Sequence, residues 1–263
     1  MQNVFADHSQ LFHWLLKDKY HWRSQDAAAF TEKDISQQSV DVQHDFDLIV
    51  SGEPLQYVIG WVTFLGCHID LSLKPLIPRP ETEYWVEKIL KEMHTHDALS
   101  VLDLCCGSGC IGIAVARALP TAHIDFVDIT DNALQQTQIN LNHNDVSVSR
   151  MAVIKSDLFS SLTSHTYDWI FANPPYVDPT GEWPAELKHE PPEALFAQKN
   201  GLALIEKILL NAEKYLKTEG KMILEFGKGQ EKEIEKMAKK GSWKKITFGQ
   251  DHYEVTRYVI LER

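Results

Sequence analysis

Cysteine is scarce in this sequence and wrongly placed for a disulfide scaffold. Only four occur, Cys67, Cys105, Cys106 and Cys110, and three of them crowd into six positions, whereas small secreted folds need paired, well-spread cysteines. No second pair or nearby histidine stands at zinc-ligand spacing, so no metal is expected. Long apolar runs are missing too. Nothing approaches the ~18 uninterrupted apolar residues of a membrane-spanning helix, and the first residues lack the basic-then-apolar pattern of a secretory signal. The expectation is a cytoplasmic protein with no membrane association. Positive charge is in deficit: 26 Lys and Arg stand against 37 Asp and Glu, a net charge of −11. Such a chain repels a phosphate backbone, which disfavours nucleic acid as its main partner. The one basic run, residues 228–245, interleaves Glu231, Glu233 and Glu235 with Lys232, Lys236 and Lys239, as a solvated helix face does. His94, His96 and the other histidines are scattered through polar text and read as surface residues.

What is present is patterned. Hydrophobic residues at 44% and charged residues at 24% are the mix of a chain that folds. Leu11, Trp14 and Leu15 make one short helical stripe; Val42, Phe46, Ile49 and Val50 make a second that stops at Gly52, a C-terminal helix signal. Residues 1–55 therefore read as a small helical domain. Residues 56–77 change to β-rich text, with Tyr57, Val58 and Ile59, then Trp61 to Phe64, punctuated by Gly60 and Gly66 and closed by Pro75 and Pro78. A β-hairpin connector fits that pattern. Residues 78–263 alternate strand and helix: strands over 100–104, 123–127, 151–155, 167–172 and 221–226, helices over 132–142 and 201–216, and a helical stripe at Ile111, Ala114, Val115 and Ala118. This alternation predicts an α/β domain built on a doubly wound, mostly parallel sheet. The runs 246–248 and 255–261 are joined by a short polar link and predict an antiparallel pair.

Two constellations carry chemistry. The first is Val101-Leu102-Asp103-Leu104-Cys105-Cys106-Gly107-Ser108-Gly109, a strand entering a Gly-x-Gly turn that opens a helix. Glycines let backbone approach a ligand, and the helix start offers unpaired N–H groups. Asp128 ends the next strand 19 residues after Gly109, where a ribose-binding carboxylate belongs. Gly107, Gly109 and Gly112 also satisfy the spacing of dinucleotide binders, but Asp103 is expected to point a carboxylate into the pocket, which suits a cationic ligand better than a diphosphate. The second is Asn173-Pro174-Pro175-Tyr176 at the end of a strand. Two prolines remove two backbone donors and stiffen the chain. The Asn173 side-chain oxygen and the Pro174 carbonyl could hold both hydrogens of a planar NH₂ group while Tyr176 stacks on its face.

Together these residues resemble an S-adenosylmethionine-dependent methyltransferase of class I, with a Rossmann-like fold, that alkylates a planar nitrogen. Gly52-Glu53-Pro54-Leu55-Gln56-Tyr57, Ile77-Pro78-Arg79-Pro80-Glu81-Thr82-Glu83, His189-Glu190-Pro191-Pro192-Glu193-Ala194-Leu195-Phe196 and Leu224-Glu225-Phe226-Gly227 narrow it: they resemble the bacterial release-factor glutamine N5-methyltransferases, the HemK family. The resemblance implies a helical substrate-recognition domain, the Gly-Gly-Gln glutamine of class-1 peptide-chain release factors as substrate, and S-adenosylmethionine as methyl donor. It implies Asn173, Pro174 and Tyr176 as catalytic residues, with Pro175, Arg79 and Glu81 also at the substrate. It implies Asp103, Cys105, Cys106, Gly107, Ser108, Gly109, Asp128, Asp157, Leu158 and Asn173 as the cofactor site. Cys105-Cys106 stands where the family usually has Gly-Thr, and a cysteine there is reminiscent of the sister enzymes that methylate ribosomal protein uL3. Leu158 replaces an aromatic residue that stacks on adenine in some relatives, with Phe159 as a possible helper. Methylation of uL3, amino-methylation of a nucleobase and non-catalytic cofactor binding stay open at this stage.

Overall fold

A computed structural model describes residues 4–93, 98–162 and 166–263. His94 and His96 lie outside the described residues. The chain divides into two compact units, Met1–Trp61 with Pro184–His189, and Val62–Trp183 with Glu190–Arg263.

The first unit is helical: α1 (Val4–Asp18), α2 (Ser24–Ala28), α3 (Glu32–Ile35), α4 (Val40–Val50) and α5 (Leu55–Ile59). Its core is Phe12, Leu15, Leu16, Phe30, Val42, Phe46, Ile49 and Val58, with the Phe12 and Phe46 rings 4.5 Å apart. The i, i+3, i+4 set Phe12, Leu15 and Leu16 turns α1 so that Trp14, expected inside, is 45% exposed. Gly52 follows the α4 cap at φ +93, the left-handed conformation that glycine tolerates without a Cβ clash. Residues 56–59, expected as strand, complete α5 instead. Pro54 at its start presets the helical φ, and Gly60 at φ +94 ends it. His189 is no surface histidine: its Nδ1 lies 2.9 Å from Glu53 Oε2.

The second unit opens with a two-stranded hairpin, β1 (Trp61–Phe64) and β2 (Cys67–Asp70), and helix α6 (Pro80–Leu90). There follow β3 (Ser100–Leu104), α7 (Cys110–Ala118), β4 (His123–Asp128), α8 (Asp131–His143), β5 (Met151–Lys155) and β6 (Tyr167–Ala172). The chain ends with α9 (Pro192–Leu195), α10 (Ala203–Asn211), β7 (Leu216–Glu225), α11 (Glu231–Ala238), β8 (Lys245–Gln250) and β9 (Thr256–Glu262). The seven-stranded sheet runs β5-β4-β3-β6-β7-β9-β8. β3, β4, β5, β6 and β7 are parallel, and β9 pairs antiparallel with β7 and β8, as the alternation of the sequence predicted. Strand order reverses at β3, so the crevice at the carboxyl ends of β3, β4 and β6 is the topological switch point where open α/β sheets bind ligands.

One boundary moved. Leu216, read as the last residue of a helical stripe, is instead the first of β7, opposite Tyr167. An irregularity follows before Lys221 pairs with Trp169. Gly220 sits in that interval, where a Cβ would meet Lys217 O at 2.9 Å and Tyr167 O at 3.0 Å. The irregular strand start carries no period-2 pattern, which hid it.

Candidate active site

The switch-point crevice encloses about 1170 Å³ of space, part of it open to solvent, and strand ends meet in it. β3 delivers Cys105 to Ser108, β4 delivers Asp128 and Ile129, β5 delivers Ser156 to Leu158, and β6 delivers Asn173.

The glycine turn is tightly built. Cys105, Gly107 and Gly109 adopt φ of +61, +56 and +76, so the chain reverses within a few residues before α7 begins. Asp128 spans the turn and its own loop: Oδ2 accepts from Gly107 N at 3.1 Å, and Oδ1 accepts from Thr130 N at 3.1 Å and Thr130 Oγ1 at 3.2 Å. The turn rests on a buried polar face of α8, where Thr137 Oγ1 donates to Gly107 O at 3.1 Å and Asn140 Nδ2 to Ser108 O at 2.9 Å. Two of the glycines serve packing, not ligand approach. A Cβ at Gly112 would fall 2.2 Å from the Phe126 ring, and one at Gly109 would fall 2.9 Å from Thr137.

Asp103 is a correction to the sequence reading. It does not line the crevice; it is 1% exposed and its Oδ2 accepts from Gly112 N at 2.8 Å, satisfying an orphan donor in the first turn of α7. Strand alternation turns it toward Phe126 and Phe171, its neighbours in register. Burial, and the Asp128 charge after it, push its carboxyl up to about 7, against the pull of the Gly112 N–H. Burial and the surrounding Asp103 and Asp128 carboxylates also push the thiols of Cys105 and Cys106 well up, so they line the turn as neutral, poorly nucleophilic groups.

On the opposite wall, Asn173 Nδ2 donates to Thr82 Oγ1 at 3.4 Å, and Thr82 lines the crevice beside it. Pro175 also faces the space, but Pro174 and Tyr176 do not. Tyr176 is held from behind: its hydroxyl donates to Glu225 Oε1 at 3.0 Å, and its carbonyl accepts from Gln230 Nε2 at 3.0 Å. Gly201 lets this packing close, since a Cβ there would lie 1.9 Å from Tyr176 O. The expected stacking of Tyr176 on a substrate is therefore replaced by a buttress. Arg79 reaches the mouth, paired with the 3% exposed Glu190 at 2.5 Å, while Glu190 also accepts from Ile77 N at 3.0 Å. This fixes residues 75–79 over the site. Glu81 does not face the crevice: Arg79 and Thr82 share one side of the helix start at i, i+3, and Glu81 falls outside it.

At the lip, Asp157 is exposed and Leu158 takes φ +51. Ile129, 56% exposed, adds an aliphatic surface. Phe159 gives no help there; it is 4% exposed and stacks on Tyr215 at 4.6 Å. The crevice thus combines a strand end that presents the Asn173 amide to a polar hydrogen-bearing group with an acid and aliphatic rims suited to a nucleoside.

Residues 86–188 match the model of the methyltransferase small domain. A release factor glutamine methyltransferase from Thermodesulfovibrio yellowstonii is 34% identical over 233 residues, 87% of this chain and 83% of that protein. The chain belongs to the release factor glutamine methyltransferase family. A ribosomal protein uL3 glutamine methyltransferase from Francisella tularensis is 39% identical over 188 residues, covering 68% of this chain and 58% of that protein. Among solved structures, a methyltransferase from Pyrococcus furiosus superposes with a TM-score of 0.55 at 16% identity, over 75% of this chain and 89% of that one, which fixes the methyltransferase fold.

In this methyltransferase the sequence missed the groups behind the site. Thr82, Glu190 and Glu225 stand in motifs that were noticed, but their partners lie far along the chain. Gln136 and Asn140 were hidden in a stretch read simply as helix, although its run of Gln and Asn was the available signal. Ile129 carried none.

Proposed function

We propose that this protein transfers a methyl group from S-adenosylmethionine to the side-chain amide nitrogen of the glutamine in the Gly-Gly-Gln loop of class-1 peptide-chain release factors, in the cytoplasm where those factors act. The observation that carries the reading is the orientation of Asn173. Its NH₂ is given to Thr82, so its oxygen is the end left to accept from a substrate NH₂ in the crevice.

The residues present fit the methyl donor. Asp128 would hold the ribose hydroxyls, the backbone of Gly107 and Ser108 the amino-acid end, and Asp157 the adenine amino group, with Leu158 and Ile129 against its faces; Gly109, expected in the same cradle, does not line the crevice. Cys105 and Cys106 would contribute backbone and apolar surface, and Asp103 would support the turn from behind. When bound, S-adenosylmethionine supplies a methyl group already activated by its sulfonium.

A glutamine amide nitrogen is a poor nucleophile because its lone pair is delocalised into the carbonyl, so position does most of the work. Asn173 Oδ1 would accept one N–H hydrogen of the substrate and set the line of attack, while Pro174, expected to accept the other, does not face the crevice; orientation of this kind is worth on the order of 7 kcal/mol. The same oxygen puts partial negative charge where positive charge develops on nitrogen, a preorganised electrostatic contribution. No general base is required, because the methylated amide loses its proton readily to water.

The 39% identity to a uL3 enzyme supports a second reading, methylation of a uL3 glutamine by the same site and chemistry. Against a nucleic-acid substrate stands the net charge of −11. Asn173→Ala is expected to abolish transfer while calorimetry still finds S-adenosylmethionine bound with near wild-type affinity. Full activity in that variant would remove Asn173 from the mechanism.

A further inference from the structure

An asparagine amide is nearly symmetric in shape, so the packing around Asn173 does not by itself decide which end faces the crevice. Exchanging its oxygen and nitrogen would present a donor to the substrate NH₂ and destroy the site. The deciding group lies one shell further back. Glu225, the last residue of β7, is 1% exposed, and its carboxylate accepts three hydrogen bonds. Oε2 takes Thr82 Oγ1 and Trp85 Nε1, each at 2.6 Å, and Oε1 takes the Tyr176 hydroxyl at 3.0 Å.

An ionised carboxylate only accepts, and a threonine hydroxyl has one hydrogen. Thr82 spends that hydrogen on Glu225, so toward Asn173 its oxygen can only accept. It does so from Asn173 Nδ2 at 3.4 Å. The polarity of the buried carboxylate is thereby passed through Thr82 to the amide, whose oxygen is left toward the substrate. Taking a carboxylate out of water is costly unless donors surround it. The donors that compensate this one are Thr82, which lines the crevice, Tyr176, which follows the two prolines, and Trp85 of α6. Burial pushes the Glu225 carboxyl above its ordinary value, and these three donors together with the positive charge of Arg257 pull it back toward the ionised form; Arg257 is itself held by Asp251 Oδ2 at 3.1 Å.

We propose that Glu225 is a positioning residue for methyl transfer: through Thr82 it fixes which end of the Asn173 amide meets the substrate glutamine. The inference rests on the methyl-transfer reading above. Glu225 touches neither substrate nor methyl donor, since it does not face the crevice.

The test uses the full-length protein, intact release factor and S-adenosylmethionine, with kcat, KM and cofactor affinity measured separately. Thr82→Val removes the hydroxyl while keeping its shape. Glu225→Gln replaces an acceptor-only group with one that also donates, which frees the Thr82 hydrogen to turn toward Asn173. Both variants are expected to lower kcat by roughly 10–100-fold while KM and cofactor affinity change less than about threefold, since a small misorientation at a reacting centre costs that much. Thr82→Ser, which restores the hydroxyl, is expected to recover most of the loss. Wild-type kcat in a folded Thr82→Val or Glu225→Gln protein would overturn the relay, as would a Thr82→Ser protein no better than Thr82→Val. If Thr82→Val fails to fold, Glu225→Gln and Thr82→Ser decide. An inactive wild type would instead remove the function on which the relay rests, so the two failures are distinguishable.

Discussion

Asp103 is the residue whose role changed most between sequence and structure. Read as a ligand for a cation, it is buried behind the turn and caps α7 through Gly112 N. Its carboxyl is pushed from 3.8 up to about 7, chiefly by burial, which has a consequence for stability. A folded-state pKa above the unfolded one means the folded form holds the proton more tightly. The stabilisation is complete below about pH 4 and is lost as pH rises to about 7. At about 1.4 kcal/mol per pH unit the swing is on the order of 4 kcal/mol. Asp103→Asn is expected to remove it: the variant's unfolding free energy, measured in urea at several pH values, should gain on wild type steadily between pH 4 and pH 7. A constant difference would contradict the burial account. Asn173, Asp128 and the glycine turn were legible because each sits in a short contiguous string whose chemistry is local. Thr82 and Glu225 act through a bond between residues 143 positions apart, and no spacing within either string reveals such a pairing.

Elements were legible where periodicity was clean. β3, β5 and β6 match their sequence ranges, because buried parallel strands read as short unbroken apolar runs. The helix over 201–216 was overextended because Leu216 fits a helical stripe as well as it fits the start of a strand, and α5 was missed because its β-branched residues favour strand by propensity while Pro54 and Gly60 decide otherwise. The least legible feature is α8, whose buried face is polar: Gln136, Thr137 and Asn140 are 0% exposed. That face joins the hairpin to the glycine turn. Asn140 accepts from Asp70 N at 2.7 Å and donates to Ser108 O at 2.9 Å, and Gln136 accepts from Leu73 N at 2.9 Å. Asn140→Ala leaves several buried backbone groups unpaired, so a loss of about 2–4 kcal/mol is expected from chemical denaturation. Cofactor affinity should fall as well, because the Ser108 carbonyl loses its anchor. A variant as stable as wild type would mean that water replaces the side chain at no cost.

At the scale of the whole molecule, scarce cysteine and surplus acid narrowed the class of protein without identifying its substrate. The parallel sheet with a reversal at β3 explains why one crevice can gather an acid from β4, a lip from β5 and an amide from β6 with few residues spent on each. Residues 75–79 and the Arg79 to Glu190 pair frame the mouth, and relatives similar to this chain are named for two different protein substrates, release factor and ribosomal protein uL3. The central claim is tested most directly by incubating the protein with methyl-labelled S-adenosylmethionine and, separately, a class-1 release factor, uL3 and duplex DNA, then mapping the label by mass spectrometry. The account predicts one methyl on the amide nitrogen of the Gly-Gly-Gln glutamine of the release factor; label on uL3 or DNA alone, or on none of the three, would contradict it.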